Sequence, residues 1–561
     1  MARRVRLRPW QKRALDLLAS SSDPDFLTVA TPGAGKTTFA LCAAVHDLAA
    51  NAGRRLVVVA PTSHLKLQWA DAAARFGLHL EPRWSASGGR LPADVHGVVT
   101  TYQQVASNPD ALRPLAARSM TVLDEIHHAG DDRAWGDAVR TAFEESPQRL
   151  ALSGTPFRSD TRAIPFVRYV IDEAVPDFEY GYADALADGR VVRPVYFPRI
   201  NGFMEWVAPD GSANAASFDD ALDRVGSAQR LRTALSLEGE WLPTVLLQAN
   251  ERLTAIRRVQ PDAGGLVIAA DQEHAQGIAD ILRYRCGVRA TVAISDDPMS
   301  SSRIARFAAA TDPWIVAVRM VSEGVDIPRL RVGVYATTTT TDLFFRQAVG
   351  RFVRWTRGVP RQKAYLFIPD DPRLRTWATQ IADARRHSLR KETKPDDTDG
   401  PIEEGAELDA RRHEEDRGDQ LSLFAALSAV VTGEDESSVF HLDDDVLDRF
   451  DRDDASEGDK ESAFDLSLPL LPGGPGPAGG AGVGAGVEDI PSPRQRRLEL
   501  RAENARFVQE LVRSTGMTHA QVNSELNRLV GLRRIDEATV DQLARRAKQA
   551  EQWLFKGARK T

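Results

Sequence analysis

Cysteine is almost missing from this chain: two residues, Cys42 and Cys286, among 561. They lie far apart inside apolar-patterned segments, so they supply neither a disulfide framework nor a zinc site, and a reducing, cytoplasmic compartment is expected. No apolar run is long enough to span a bilayer. The opening MARRVRLRPWQ has basic residues with no apolar core behind them, so neither a membrane contact nor a secretory leader is expected. Overall basic charge is missing as well. A formal net charge of -7 argues against a uniformly basic nucleic-acid binder. The acid is concentrated near the C-terminal third, which leaves the rest closer to neutral or basic. What is present, 42% hydrophobic and 27% charged residues, suffices for two or three domains with full cores.

The most informative stretch is ATPGAGKTT, Ala30 to Thr38, between an apolar run (Phe26 to Val29) and an apolar-patterned helix (Phe39 to Leu48). Strand, glycine-rich turn and helix make a phosphate cradle. Gly33 and Gly35 let successive amide hydrogens face one anion, with the positive end of the helix dipole behind them. Lys36 would sit between the β- and γ-phosphates of a nucleoside triphosphate such as ATP. Thr37, with Thr38 beside it, is placed to ligate the accompanying magnesium ion, Mg2+. The first glycine of the full pattern GxxxxGK[ST] is Ala30 here, while GxGKT survives.

Around this stretch, apolar strands alternate with helices: LVVVA (Leu56 to Ala60), Val98 to Tyr102, MTVLDEIHH ending at His128, and RLALSGTP ending at Pro156. Buried strands alternating with helices predict a parallel, doubly wound sheet, in which chemistry gathers at the carboxyl ends of the strands. DEIH ends one of them. Two consecutive carboxylates there cost desolvation unless a cation waits, and a magnesium triphosphate would be that cation. Asp124 would hold the magnesium shell and Glu125 would orient and deprotonate the attacking water. A solvated acidic loop is the bland alternative. Zinc at His127 and His128 is disfavoured, since adjacent histidines point in different directions and no cysteine is near. Upstream, Gln11 in LRPWQ is placed to read an adenine edge; a solvent-facing glutamine at a helix start is the other reading.

Together these motifs resemble a superfamily 2 helicase of the DEAD/DEAH-box type, with the DExH spelling, over most of residues 1 to 370. LRPWQ resembles the family's adenine-reading segment. PTSHLKLQW and VTTYQ resemble the segments that hold the nucleic-acid backbone, which implies that role for Pro61, Thr62, Thr100 and Thr101. SGTP resembles the element coupling nucleotide state to strand grip, with Ser153 and Thr155. The second half repeats the sheet logic at Gly265 to Leu282, Trp314 to Pro328 and RVGVYATTT. It then presents FFRQAVGRFVR, whose Arg351 and Arg354 are three apart and share a helix face. Arginines so spaced can reach from one domain toward a triphosphate held by another. In the family QxxGRxxR does this across the cleft between two RecA-like domains, and VSEGVDIP senses nucleotide and strand together. The resemblance thus puts Gln347, Arg351, Arg354, Gly324 and Asp326 in the cleft and pairs His127 with Gln347. LRPWQ, DEIHH, VSEGVDIP and QAVGRFVR look most like the group of type I restriction motors and excision-repair translocases, which works mainly on DNA.

The expected architecture is α/β: a RecA-like ATP-binding domain over residues 1–198, a second RecA-like domain over 199–388, an acidic and then Gly/Pro-rich disordered linker over 389–493, and a small helical domain over 494–561. Tyr180 to Ile200 reads as the exit strand of the first sheet, and 201–260 carries no motif. The linker composition cannot bury enough surface to repay ordering. Inside it QLSLF (Gln420, Leu421, Leu423, Phe424) resembles the pentapeptide that binds the bacterial DNA sliding clamp; a short amphipathic segment packing back on the motor is the equal alternative. Near the C-terminus, Thr518 and Gln521 are spaced as a capping box, with Val522, Leu526, Leu529 and Val530 on one face. Arginines there, Arg494, Arg496, Arg497 and Arg546 among them, suggest contact with a nucleic-acid backbone or a solvated basic face. The expected function is an ATP-dependent DNA helicase, with RNA the lesser substrate. Its rivals are a duplex translocase that does not unwind, and a nucleotide-gated adaptor recruited to the sliding clamp.

Overall fold

The computed structural model describes residues 3–84, 91–130, 133–154, 163–170, 173–208, 210–294, 300–318, 327–359, 362–391, 425–431, 464–469 and 493–558. Two all-parallel sheets organise them. The first has seven strands in the order Phe178–Tyr180, Asp25–Ala30, Gln148–Ser153, Ser119–Leu123, Arg55–Ala60, Gly97–Thr101, Leu80–Glu81. Its central strands are buried on both faces, as their unbroken apolar runs require. Helices Lys36–Ala50 and Ser63–Arg75 cover one face, and the other packs around Tyr102, Val139 and Phe143.

The second sheet runs Val195–Tyr196, Ala364–Pro369, Leu330–Ala336, Gly264–Ala269, Trp314–Val318, Ala290–Ala293, and Arg199–Ile200 also pairs with Ala364–Pro369. The segment Tyr180 to Ile200 therefore does not all belong to the first sheet: Phe178–Tyr180 closes that edge, and by Val195 the chain already pairs in the second. Hydrogen bonding to the strand Ala364–Pro369 decides this, a partner too distant in sequence to read from local pattern.

The stretch 201–260 folds onto this second unit. Strands Gly202–Val207 and Ala213–Ser217 form a hairpin, and helices Arg224–Ala234 and Trp241–Arg257 pack beneath it around Trp206, Phe218 and Trp241. A third strand completes the hairpin, Ala425–Val431, from within the stretch expected to be a disordered linker. A second piece of that stretch, Phe464–Leu468, lies antiparallel to the N-terminal strand Arg3–Leu7 and buries Leu468. Phe464–Leu468 alternates apolar and polar residues, whereas Ala425–Val431 is apolar except for Ser428; each pairs with the open edge of a strand already in place, which offsets its ordering cost.

The C-terminal residues form three helices, Pro493–Thr515, His519–Val530 and Val540–Ala558, with the Thr518–Gln521 capping box in place. Val522 and Leu526 are buried there, but Leu529 is 46% exposed, because the third helix closes over only part of that face. Several of the basic residues are committed inside the protein. Arg494 pairs with Asp71 at 2.9 Å and Arg497 with Asp94 at 2.7 Å, docking the bundle on the first domain, and buried Arg546 is held by Asn504, Asn523 and Asn527. Among the described residues no helix is long and apolar enough to cross a membrane.

Candidate nucleotide site between the two sheets

Three adjacent strands of the first sheet end side by side and deliver the chemistry. Asp25–Ala30 leads into the glycine turn, Gln148–Ser153 ends at Ser153, and Ser119–Leu123 runs into Asp124 and Glu125. Gly33 and Gly35 have φ of 85° and 96°, values that strain any residue with a Cβ, and Gly35 caps the helix Lys36–Ala50 that Thr37 and Thr38 open. Ala30 is fully buried at the strand end, and its φ is not positive, so no glycine is needed there. Lys36 turns back over the loop: Nζ donates to the Ala30 carbonyl at 3.1 Å and lies 3.2 Å from Glu125 Oε1.

Glu125 has a φ of 48°, in the left-handed region that a residue with a long side chain enters only under constraint. The constraint is visible in its carboxylate, whose Oε2 accepts the Gly154 N–H at 2.9 Å. Burial pushes Glu125 up, but the charge of Lys36 and the Gly154 N–H hold it below the usual carboxylate range. Its neighbour Asp124 moves the other way, pushed up by burial and then by the charge of Glu125. The Trp69 indole N–H donates to Asp124 Oδ2 at 2.7 Å, and the Tyr102 hydroxyl donates to the Asp124 carbonyl at 2.9 Å. Neither Trp69 nor Tyr102 was evident as a site residue from sequence, since each reads equally well as core.

Gln11 is 3% exposed and spoken for: Nε2 donates to the Gly35 carbonyl at 2.9 Å and Oε1 accepts the Arg8 N–H at 2.9 Å. Arg8 and the Trp10 indole donate to the Gly33 and Ala34 carbonyls as well, so LRPWQ braces the outside of the phosphate loop. Trp10, stacked on Tyr180 at 5.1 Å, anchors that brace.

From the second sheet, helix Asp342–Gly350 and the residues after it press on the same loop. A Cβ at Gly350 would stand 2.7 Å from Pro32 Cγ, and one at Gly33 would stand 3.3 Å from Arg354 Cδ and 3.5 Å from its Nη1. The Arg354 side chain thus lies on the phosphate loop. Gln347 Nε2 is 3.0 Å from His127 Nε2, and His127 Nδ1 is 3.3 Å from Ser153 Oγ. An amide nitrogen can only donate, so His127 accepts at Nε2 and donates from Nδ1 to Ser153. Arg351 caps the end of the same helix.

Pro61 and Thr62 lie half-exposed at the start of helix Ser63–Arg75, with the Thr62 hydroxyl accepting the Leu65 N–H at 3.4 Å. Thr100 and Thr101 are buried and bonded to Gln104, Thr101 as the cap of helix Tyr102–Ser107. Lys66 Nζ donates to the same Gln104 at 2.7 Å and ties the two helices together. Thr155, Gly324, Asp326 and Gln420 to Phe424 lie outside the described residues. Among the described residues no group of three or more His, Cys, Asp or Glu side chains is placed to hold a metal ion by itself.

The donor set fits a nucleotide and its magnesium ion. Two positive-φ glycines curl the loop, a lysine rests on a backbone carbonyl and a carboxylate that a phosphate can replace, and Asp124 keeps one carboxylate oxygen beyond the Trp69 bond. The model of the DEAD/DEAH box helicase family matches residues 8–164. The uncharacterized protein ML1624 of Mycobacterium leprae is 46% identical over 403 residues, 71% of this chain and 67% of that protein. The uncharacterized protein Rv2917 of Mycobacterium tuberculosis is 46% identical over 433 residues, 75% of this chain and 70% of that protein. Among solved structures, the ATP-dependent type ISP restriction-modification enzyme LlaBIII bound to DNA is 14% identical, with TM-score 0.45, covering 68% of this chain and 29% of that one. Dbp5 of S. cerevisiae bound to RNA and ADP BeF3 is 14% identical, with TM-score 0.42, covering 67% of this chain and 87% of that one. With the phosphate loop, DEIH and the cross-cleft contacts all on one site, residues 8–164 are a DEAD/DEAH box helicase domain, and the chain is an ATP-hydrolysing helicase.

Proposed function

We propose that this protein is a DNA helicase that couples ATP hydrolysis to translocation and strand separation. The observation that carries the proposal is the reach of Arg354 and Gln347 from the second sheet onto the phosphate loop and His127 of the first. A site assembled from two bodies turns over only when they are together, so hydrolysis and inter-domain movement become one event.

In this reading Lys36 holds the phosphates, with the amides of Gly33 to Thr38 around them. Thr37 and Asp124 would hold the magnesium ion, which supplies charge neutralisation at the phosphates. Glu125, kept ionised by Lys36 and the Gly154 N–H, accepts a proton from water as the water oxygen bonds to the γ-phosphorus. The bond from that phosphorus to the β–γ bridging oxygen breaks, and ADP takes the electron pair. Arg354, together with Arg351 of the same motif, stabilises the charge that builds on the transferring group, an effect typically of about 10³–10⁵ in rate. His127 passes the position of Gln347 to Ser153 and so to the loop after it. Gly324, Asp326 and Thr155 take the sensing and coupling roles that their motifs imply. Strand grip falls to Pro61, Thr62, Thr100 and Thr101 through the helix ends they form, on phosphates and with little sequence preference.

DNA rather than RNA is supported by the spelling of LRPWQ, DEIHH, VSEGVDIP and QAVGRFVR. Recruitment to the sliding clamp through Gln420 to Phe424 is part of the proposal. Strand displacement on tailed and blunt DNA duplexes tests the central reading. Separation of tailed duplexes under ATP is expected. ATP-driven movement on blunt duplexes with no separation would favour a translocase, and full cellular function of Glu125→Gln would favour an adaptor.

A further inference from the structure

We propose that Trp69 and Tyr102 are positioning residues through which the strand-gripping helices set the two catalytic carboxylates; the inference rests on the strand-gripping role proposed above for Thr62 and Thr101. Helix Ser63–Arg75 begins at the Thr62 cap and, two turns later, delivers Trp69. Its indole N–H donates to Asp124 Oδ2 at 2.7 Å in a setting where the ring is 2% exposed. Helix Tyr102–Ser107 begins at the Thr101 cap, and its first residue donates a hydroxyl hydrogen to the Asp124 carbonyl at 2.9 Å from a fully buried ring. Lys66 Nζ donates to Gln104 Oε1 at 2.7 Å and ties the two helices to each other.

Each bond governs a different degree of freedom. The indole fixes the rotamer of the Asp124 carboxylate. The Tyr102 hydroxyl fixes the peptide plane between Asp124 and Glu125, the plane from which the strained φ of 48° at Glu125 is turned. A strand pulling on either helix cap therefore reorients both carboxylates without touching them. The Trp69 bond to a carboxylate and the Tyr102 bond to a peptide carbonyl are both buried and held by fully packed aromatics, stiff enough to transmit such a shift.

The test is an equilibrium coupling, measured apart from turnover. Binding of a fluorescein-labelled oligothymidylate is titrated with and without a non-hydrolysable ATP analogue and magnesium, for the wild-type chain, Trp69→Phe and Tyr102→Phe. The wild-type analogue should tighten strand binding by a factor in the range of about 5–150. Tyr102→Phe, which removes one oxygen from an intact ring, should keep the melting temperature and both separate affinities while the coupling factor falls about five- to tenfold. Trp69→Phe should lower the coupling factor likewise and raise the magnesium needed for analogue binding, with strand affinity in the absence of analogue held. Unchanged coupling in both variants overturns the inference and leaves the function standing. Loss of coupling in step with lower melting temperature and lower affinity for both ligands overturns it as well, since that is a packing role. A wild-type chain with no coupling to DNA or to an oligouridylate removes the inference and the proposed function together.

Discussion

The two parallel sheets are built on one plan and do different work. At the first, three strand ends converge on a lysine, two carboxylates and a serine, and the strained residue of the site is the glutamate. At the second, the described strand ends carry no such cluster, and its largest polar investments are buried arginines that bond backbone carbonyls. Arg329 donates to Phe307, Asp262 and Asp312, and Arg193 to Leu330 and Pro328. Its contribution to the site arrives on one helix and the turn after it. In the function proposed above, the first domain holds the ligand and the second sets the rate.

The sharpest way to break this division is Lys36→Ala, which should abolish both nucleotide binding and hydrolysis; turnover persisting in that variant would remove the site. Glu125→Gln should retain nucleotide within a few-fold in a filter-binding assay while turnover falls by about 10² or more. Arg354→Ala tests the other side of the division. Nucleotide affinity should hold while single-turnover hydrolysis drops by about 10³, and equal losses of both would make the arginine structural. Gln347→Ala, which removes the bond to His127, should cost less, about tenfold in nucleic-acid-stimulated turnover. Arg329→Ala should lower the stability of the second unit by about 3 kcal/mol, through carbonyls left without donors, and leave nucleotide affinity of the folded protein alone. A change in affinity there would mean that the second sheet shapes the ligand site after all.

Local pattern made the motifs and both sheets legible, because glycine, lysine and carboxylate at fixed offsets from apolar runs encode a phosphate loop and its strand neighbours. What it missed are pairings between distant segments. Ala425–Val431 completes a hairpin more than two hundred residues earlier, and Phe464–Leu468 completes the strand at the N-terminus, both from a stretch whose composition speaks for a tether. Gln11 is expected at an adenine edge from its motif, whereas its bonds to the Gly35 carbonyl and the Arg8 N–H join segments that local pattern does not connect. Arg497 looked like a surface charge until its partner Asp94, on the first domain, came beside it. Trp69 and Tyr102 carry no motif signal, since a buried aromatic on a helix facing a sheet is ordinary core until its polar atom is followed to its acceptor.

The most direct test of the account is steady-state ATP hydrolysis by the purified chain, alone and with single-stranded DNA, duplex DNA or single-stranded RNA, with Glu125→Gln as the control. The account predicts turnover stimulated by DNA well beyond RNA and absent in the control. Turnover indifferent to every nucleic acid would contradict it.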